Sequence, residues 1–87
     1  MQSQSVRLFV KSGCPWCELA RRWLDERGIA YTMLNVTSDP KAYAEMRRVS
    51  GQSRAPTLTV GGRVLADFGP EELATFWASL QTASANT

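Results

Sequence analysis

The two cysteines of this 87-residue chain, Cys14 and Cys17, are separated by only two residues. A pair at this spacing can form and break a disulfide reversibly, or it can supply two ligands to a metal ion. The chain contains no His and no further Cys, so a zinc site within one chain would depend on carboxylates, whereas two chains together could supply four thiolates. We therefore interpret the pair first as a redox dithiol, and keep a metal or cluster bound through Cys14 of two subunits as the alternative.

The elements on either side of the pair support the redox interpretation. The apolar run Val6–Val10 predicts a strand, and a helix is expected to follow, with Pro15 at its first position and Cys14 as its N-cap. Unpaired N–H groups and the positive end of the helix dipole favour a thiolate at this position. Lys11 adds a nearby positive charge.

One helical turn further on, Cys17 is expected to be more buried and less ionised than Cys14. These positions assign the attacking nucleophile to Cys14 and the resolving thiol, which displaces the product from a mixed disulfide, to Cys17.

The rest of the chain reads as alternating strands and helices, with Gly, Pro and capping residues between them. The first helix is expected to end at Gly28, followed by a strand over residues 29–36 and a helix from Pro40 to about Ser50. Two strands, Thr57–Val60 and Arg63–Ala66, are expected to be joined by the Gly61-Gly62 turn. The last helix is expected to begin near Gly69-Pro70 and to fray over residues 81–87.

The order β-α-β-α-β-β-α predicts an α/β fold of thioredoxin-like architecture, with a four-stranded mixed sheet and helices on both faces. We expect one domain over residues 1–87, ordered over about residues 6–80. Trp23 and Trp77 lie on helical apolar stripes and are predicted to be core residues. Trp16, between the two cysteines, is expected at the surface, where it offers a stacking platform to a partner.

Charge and hydropathy exclude several other classes of protein. A net charge of +2 provides no dense basic patch for nucleic acid. No apolar run approaches the ~20 residues that span a bilayer, so no membrane partner is expected. The polar N-terminus does not resemble a secretory signal, and we therefore expect a cytoplasmic monomer in a compartment where structural disulfides are rare.

The chain resembles the glutaredoxins of the thioredoxin-like superfamily over about residues 6–80. The residues that carry the resemblance are the segment Lys11-Ser12-Gly13-Cys14-Pro15-Trp16-Cys17, with Trp16 where the family usually has Tyr, together with Ser50-Gly51-Gln52, Ala55-Pro56 and Gly61-Gly62.

This resemblance implies a dithiol oxidoreductase acting on protein disulfides or glutathione mixed disulfides. It further implies no bound cofactor, glutathione as co-substrate, and a cis Ala55–Pro56 bond facing Cys14. The residues expected to contact substrate are Lys11, Trp16, Arg54, Ala55, Pro56, Phe68 and Gly69.

Two segments depart from the family pattern. Arg54-Ala55 stands where Thr-Val is common before the proline, and Asp67-Phe68-Gly69 replaces the Gly-Gly-Xaa-Asp-Asp type of turn that holds the γ-glutamyl end of glutathione. The second departure supports an alternative electron donor, a reductase of the thioredoxin reductase type.

Overall fold

The computed structural model describes residues 5–85 and contains seven elements in the predicted order. They are β1 (Val6–Val10), α1 (Pro15–Glu26), β2 (Thr32–Asn35), α2 (Pro40–Ser50), β3 (Thr57–Val60), β4 (Arg63–Ala66) and α3 (Pro70–Ala85). None of the helices within these residues is long and apolar enough to cross a bilayer.

Two element boundaries differ from the predicted ones. β2 covers Thr32–Asn35 rather than residues 29–36, because Gly28 adopts φ +67° and Ile29 still donates its N–H to the Leu24 carbonyl of α1, at 3.1 Å. α3 continues to Ala85 through the segment expected to fray, which contains two alanines, the best helix formers. Residues 86 and 87 lie outside the described part of the chain.

The strands form one mixed sheet in the order β2-β1-β3-β4. α1 connects β1 to its parallel neighbour β2, whereas β3 runs antiparallel to both β1 and β4. The alternation of side chains along β1 sends Leu8 and Val10 to one face of the sheet and Phe9 to the other. Each face therefore has its own apolar core.

The core on one face joins the sheet to α1 and α3, and the core on the other joins it to α2. The first consists of Leu8, Val10, Cys17, Ala20, Leu24, Leu58, Val60, Phe68 and Leu73, and the second of Phe9, Val36, Ala42 and Met46. This arrangement confirms the predicted thioredoxin-like fold with helices on both faces. Trp23 and Trp77, predicted as core, are half-buried at the margin of the first core, with ring centroids 6.3 Å apart in an edge-to-face pair.

A polar contact also connects α2 to the sheet. Arg7 of β1 donates to the carboxylate of Glu45 on α2 at 3.2 Å and to the hydroxyl of Thr59 on β3 at 3.3 Å. Arg48, one turn along α2, donates to the same carboxylate. The hydrogen bonds from Arg48, which have the larger effect, and from Arg7 lower the pKa of Glu45 from 4.5 to about 2.

This shift predicts a pH-dependent contribution of Glu45 to stability. Because the folded-state pKa is depressed, the contribution is present above pH 4.5 and is lost as the pH falls towards 2. We expect Glu45→Gln to lower the melting temperature at pH 7 and the difference from the parent to fade between these pH values, as followed by circular dichroism. Glu26→Gln is the control, since the Glu26 carboxylate lies 3.9 Å from the Arg27 guanidinium, too far for a hydrogen bond. An equal difference at pH 7 and pH 2 would contradict the assignment.

Candidate redox site

Cys14 ends the loop after β1 and is the N-cap of α1, as predicted. Its backbone is extended, with φ −102° and ψ 108°, and Pro15 follows as the first residue of the helix. The Cys14 sulfur accepts a hydrogen bond from the backbone N–H of Cys17 at 3.2 Å. A sulfur in this position takes the place of the oxygen that usually caps a helix, and the free N–H groups there stabilise negative charge.

The loop that carries Cys14 is anchored to the end of β2. The N–H of Ser12 donates to the Thr37 hydroxyl at 3.0 Å, and the Asn35 amide donates to the Ser12 hydroxyl at 3.3 Å. The Asn35 side-chain oxygen accepts the N–H of Thr37 at 2.8 Å. Sequence reasoning missed these residues, although an Asn directly after an apolar strand, followed by Thr and Ser, is a typical signal for such a turn.

Cys17 is inside the first core, where it is 1% exposed. Burial, followed by the hydrogen bond to Cys14, raises the pKa of the Cys17 thiol to about 12, against a smaller opposing effect of the Lys11 backbone. Cys17 is therefore protonated at neutral pH, and it is more buried than Cys14, as expected. Both cysteines are free, and Cys14 is partly exposed. The site thus holds one accessible sulfur and one buried thiol a helical turn behind it.

Lys11 is exposed at the start of the loop. Among the described residues, no hydrogen bond or ion pair engages its ammonium group. Its suggested action on the Cys14 sulfur is thus not visible as a contact, and the lysine remains available to a ligand.

The Ala55–Pro56 bond is cis, as the family resemblance implied. Pro56 is buried, and its carbonyl accepts the N–H of Asp67 at 2.9 Å. The Arg54 guanidinium lies 3.4 Å from the Asp67 carboxylate, and both side chains are largely exposed. The loop before β3 is therefore tied to the segment after β4, and Arg54 already has an acidic partner within the protein.

Trp16 lies over the start of α3. Its side chain is 56% exposed, and a Cβ atom added to Gly69 would come within 2.9 Å of the indole Cζ3 atom. The N–H of Gly69 donates to Glu72 Oε1 at 3.0 Å, the return contact of a capping box. Gly69 is thus covered by the indole ring on one side and hydrogen-bonded to the protein's own carboxylate.

The structure places Phe68 differently from the expectation. Its ring is 4% exposed and belongs to the first core, together with Leu73 of α3. An apolar ring next to the first turn of α3 gains more by burial in this core than by exposure to solvent. Phe68 therefore supports the Gly69 turn from beneath, and its side chain provides no surface for a substrate.

Contacts nevertheless join four of the other predicted residues, Trp16, Gly69, Arg54 and Pro56, whereas Lys11 takes no part in them. Trp16, beside the cysteines, touches Gly69, and the neighbouring Asp67 contacts both Arg54 and Pro56. Within residues 5–85, no group of three or more His, Cys, Asp or Glu side chains is placed to hold a metal ion. The alternative of a shared metal or cluster requires a second chain and stays a prediction.

A free cysteine pair at the start of a helix, on a four-stranded mixed sheet covered on both faces, defines a small redoxin of thioredoxin-like fold. The sequence model of the glutaredoxin family matches residues 6–65, which include both cysteines and the cis proline. The chain belongs to the glutaredoxin family, and glutaredoxin-like redoxins are disulfide oxidoreductases.

The chain is similar both to proteins named glutaredoxin and to glutaredoxin-like proteins named NrdH. A glutaredoxin from Neisseria meningitidis is 34% identical over 59 residues, which are 67% of this chain and 69% of that protein. The glutaredoxin-like protein NrdH from Lactococcus lactis is 30% identical over 69 residues, or 79% of this chain and 94% of the relative. The structure of NrdH-redoxin from Escherichia coli superimposes with a TM-score of 0.68 at 25% identity, covering 82% of this chain and 92% of that one.

The contact between Trp16 and Gly69 can be tested by adding a single methyl group. We expect Gly69→Ala to displace the indole, because the new Cβ would lie 2.9 Å from it, and to shift the Trp16 indole N–H resonance in a ¹H–¹⁵N spectrum. Gly62→Ala is the matched control, since its Cβ would meet nothing within 4 Å. An unmoved Trp16 resonance in a folded Gly69→Ala protein would show that the ring does not rest on Gly69.

Proposed function

We propose that this protein is a dithiol oxidoreductase that reduces protein disulfides, with Cys14 as nucleophile and Cys17 as resolving thiol. The observation that carries the proposal is the unequal placement of the two sulfurs. Cys14 is partly exposed and accepts the Cys17 N–H, whereas Cys17 is buried and protonated. Attack requires an accessible thiolate, and resolution requires a second thiol nearby that does not compete for the substrate.

The reaction balances as two successive exchanges. The Cys14 thiolate attacks one sulfur of the substrate disulfide, forming a mixed disulfide and releasing the other substrate sulfur as a thiolate. Cys17 then transfers its proton to that leaving thiolate or to solvent and attacks the Cys14 sulfur. The second substrate sulfur leaves, so the substrate gains two electrons and the protein holds a Cys14–Cys17 disulfide.

The surface around Cys14 suits a polypeptide substrate. Trp16 provides an exposed aromatic face, and Ala55-Pro56 presents backbone at the start of β3. Within the described residues, neither the N–H nor the carbonyl of Ala55 has a hydrogen-bond partner. An extended segment of the substrate can therefore pair with Ala55 in the manner of an added strand, as the family resemblance implies.

We further propose a reductase of the thioredoxin reductase type as the electron donor. The N–H of Gly69 at the start of α3 and the Arg54 guanidinium are groups that bind carboxylates, and Glu72 and Asp67 already occupy them. A ligand carrying two carboxylates, such as glutathione, would have to displace both contacts or lie beside them. The similar NrdH-redoxin from E. coli is described as having a thioredoxin-like activity profile.

Glutathione is the second candidate donor, because Lys11 is an exposed cation without a partner among the described residues. The 34% identity to a protein named glutaredoxin is consistent with that choice. Both donors belong in a reducing compartment, which supports a cytoplasmic location.

The roles of the two thiols predict different failures of two variants. Cys14→Ser should abolish disulfide reduction, because the serine hydroxyl is not an effective nucleophile towards sulfur. Cys17→Ser should instead accumulate the mixed disulfide between Cys14 and the substrate, detectable by mass spectrometry of the intact protein. A fully active Cys14→Ser variant, or a mixed disulfide on Cys17 in the parent, would refute the assignment.

The choice of donor predicts that NADPH and thioredoxin reductase reduce the oxidised protein at least about tenfold faster than glutathione does, a difference of ~1.4 kcal/mol in activation free energy. NADPH consumption measures the first rate, and coupling to glutathione reductase measures the second. A preference for glutathione would select the second candidate.

A matched pair of variants then tests the structural reason for the preference. Glu72→Ala frees the Gly69 N–H and should raise the rate with glutathione. Glu71→Ala removes the same charge from the same turn without that hydrogen bond, and should leave the rate near that of the parent. Equal effects of both variants would mean that charge alone, and not the occupied N–H, excludes glutathione.

A further inference from the structure

The side-chain amide of Gln52 organises the loop between α2 and β3. Its Nε2 atom lies 2.8 Å from the Ser50 hydroxyl, 3.1 Å from the Thr57 hydroxyl and 3.2 Å from the Arg54 carbonyl. Its Oε1 atom accepts the N–H of Arg54 at 2.7 Å. One side chain therefore bonds both peptide groups of Arg54 and connects the last residue of α2 to the first residue of β3.

The orientation of this amide follows from its partners. The Arg54 N–H can only donate, so it requires Oε1, and the Arg54 carbonyl can only accept, so it requires Nε2. In a reversed amide, the Nε2 donor would face the Arg54 N–H donor, and the Oε1 acceptor would face the Arg54 carbonyl acceptor. Gln52 therefore pairs with Arg54 as a backbone peptide of a neighbouring strand would.

The hydrogen bonds of Arg54 determine which backbone groups of the loop remain free. Thr57, which is buried, also donates its hydroxyl to the Arg54 carbonyl at 2.8 Å, so the peptide groups of Arg54 are fully used within the loop. Among the described residues, Ser53 and Ala55, on either side of Arg54, have neither their N–H nor their carbonyl in a hydrogen bond. Of these two residues, Ala55 directly precedes the cis proline, and its place is fixed through the neighbouring Arg54.

We propose that Gln52 is a positioning residue for the redox reaction. It holds the backbone of Ala55 in the place where an extended segment of a disulfide substrate pairs with it beside Cys14. This inference rests on the proposed function. Residues 51–56 contain no regular element. Without the Gln52 amide, the Arg54 N–H would have no partner and would compete with Ala55 for the substrate backbone or turn to solvent, and the Arg54 carbonyl would keep only the Thr57 hydroxyl.

Two disulfide probes separate positioning from general reactivity. Insulin offers an extended backbone beside its disulfides, whereas 2-hydroxyethyl disulfide offers none. We compare the second-order rate constants for oxidation of the pre-reduced protein by each probe, and the rate of Cys14 alkylation by iodoacetamide. Gln52→Met keeps the length of the side chain and removes its hydrogen bonds, and Ser53→Ala is the control, since the Ser53 side chain makes no hydrogen bond within the described residues.

We expect Gln52→Met to slow the reaction with insulin about tenfold, the effect of one or two lost hydrogen bonds. Its rates with 2-hydroxyethyl disulfide and iodoacetamide should stay within about twofold of the parent, and Ser53→Ala should resemble the parent throughout. Gln52→Glu, which keeps the acceptor and loses the donors, should slow insulin selectively in the same way even if Gln52→Met unfolds.

An unchanged insulin rate in both folded Gln52 variants would overturn the inference, and so would an equal loss with all three reagents, because either result reduces Gln52 to a structural residue. Failure of the parent itself to reduce insulin would instead refute the proposed function. That test uses the parent protein only and is independent of the Gln52 variants.

Discussion

The site depends on the hydrogen bond from the Cys17 N–H to the Cys14 sulfur at the start of α1. Every helix begins with N–H groups that lack partners within the helix, and most proteins satisfy one of them with a side-chain oxygen. Here the Cys14 sulfur occupies that position, so the free N–H groups at the start of the helix also favour negative charge on the proposed nucleophile. Pro15 contributes by adding no further N–H, and Gly13, at φ +70°, lets the chain turn into the helix.

One helical turn accounts for the different chemistry of the two thiols. The residue at the cap is partly exposed, whereas the residue three positions later points into the core formed by β1, α1 and α3. Burial raises the pKa of the Cys17 thiol and so holds it in the protonated form. The position of each residue in the first turn of α1 therefore gives two chemically identical groups different exposure.

Local patterns explain why the element order and the cap could be predicted. Pro15 after Cys14, Asp39 before Pro40 and the glycine pair at 61–62 each act within a few residues of chain. The burial of Phe68 could not be predicted in this way, whereas Glu72, which occupies the Gly69 N–H, lies only three residues further on and is a local signal that the sequence analysis missed. Whether an aromatic ring faces solvent or core depends on how α3 packs against the sheet, which no short segment encodes.

The role of the Gln52 amide also depends on tertiary packing and could not be predicted from its local sequence. Its segment carries the family resemblance, yet nothing in the residue type indicates that its amide would bond both peptide groups of Arg54. That role arises only when the end of α2 and the start of β3 are brought together by the sheet. Loop residues of this kind are identified by counting which backbone groups lack partners once the fold is known.

The charges around the site are mostly satisfied within the protein. Asp67 neutralises Arg54, and Glu72 occupies the Gly69 N–H, so the groups that remain open among the described residues include the aromatic face of Trp16, the backbone of Ala55 and the Lys11 ammonium group. Backbone pairing and aromatic contact are indifferent to most side chains of a partner, whereas charge pairing selects for particular ones. The proposed reduction of protein disulfides by a protein-reduced redoxin agrees with this surface, because the aromatic face and the Ala55 backbone are features that any extended polypeptide can contact.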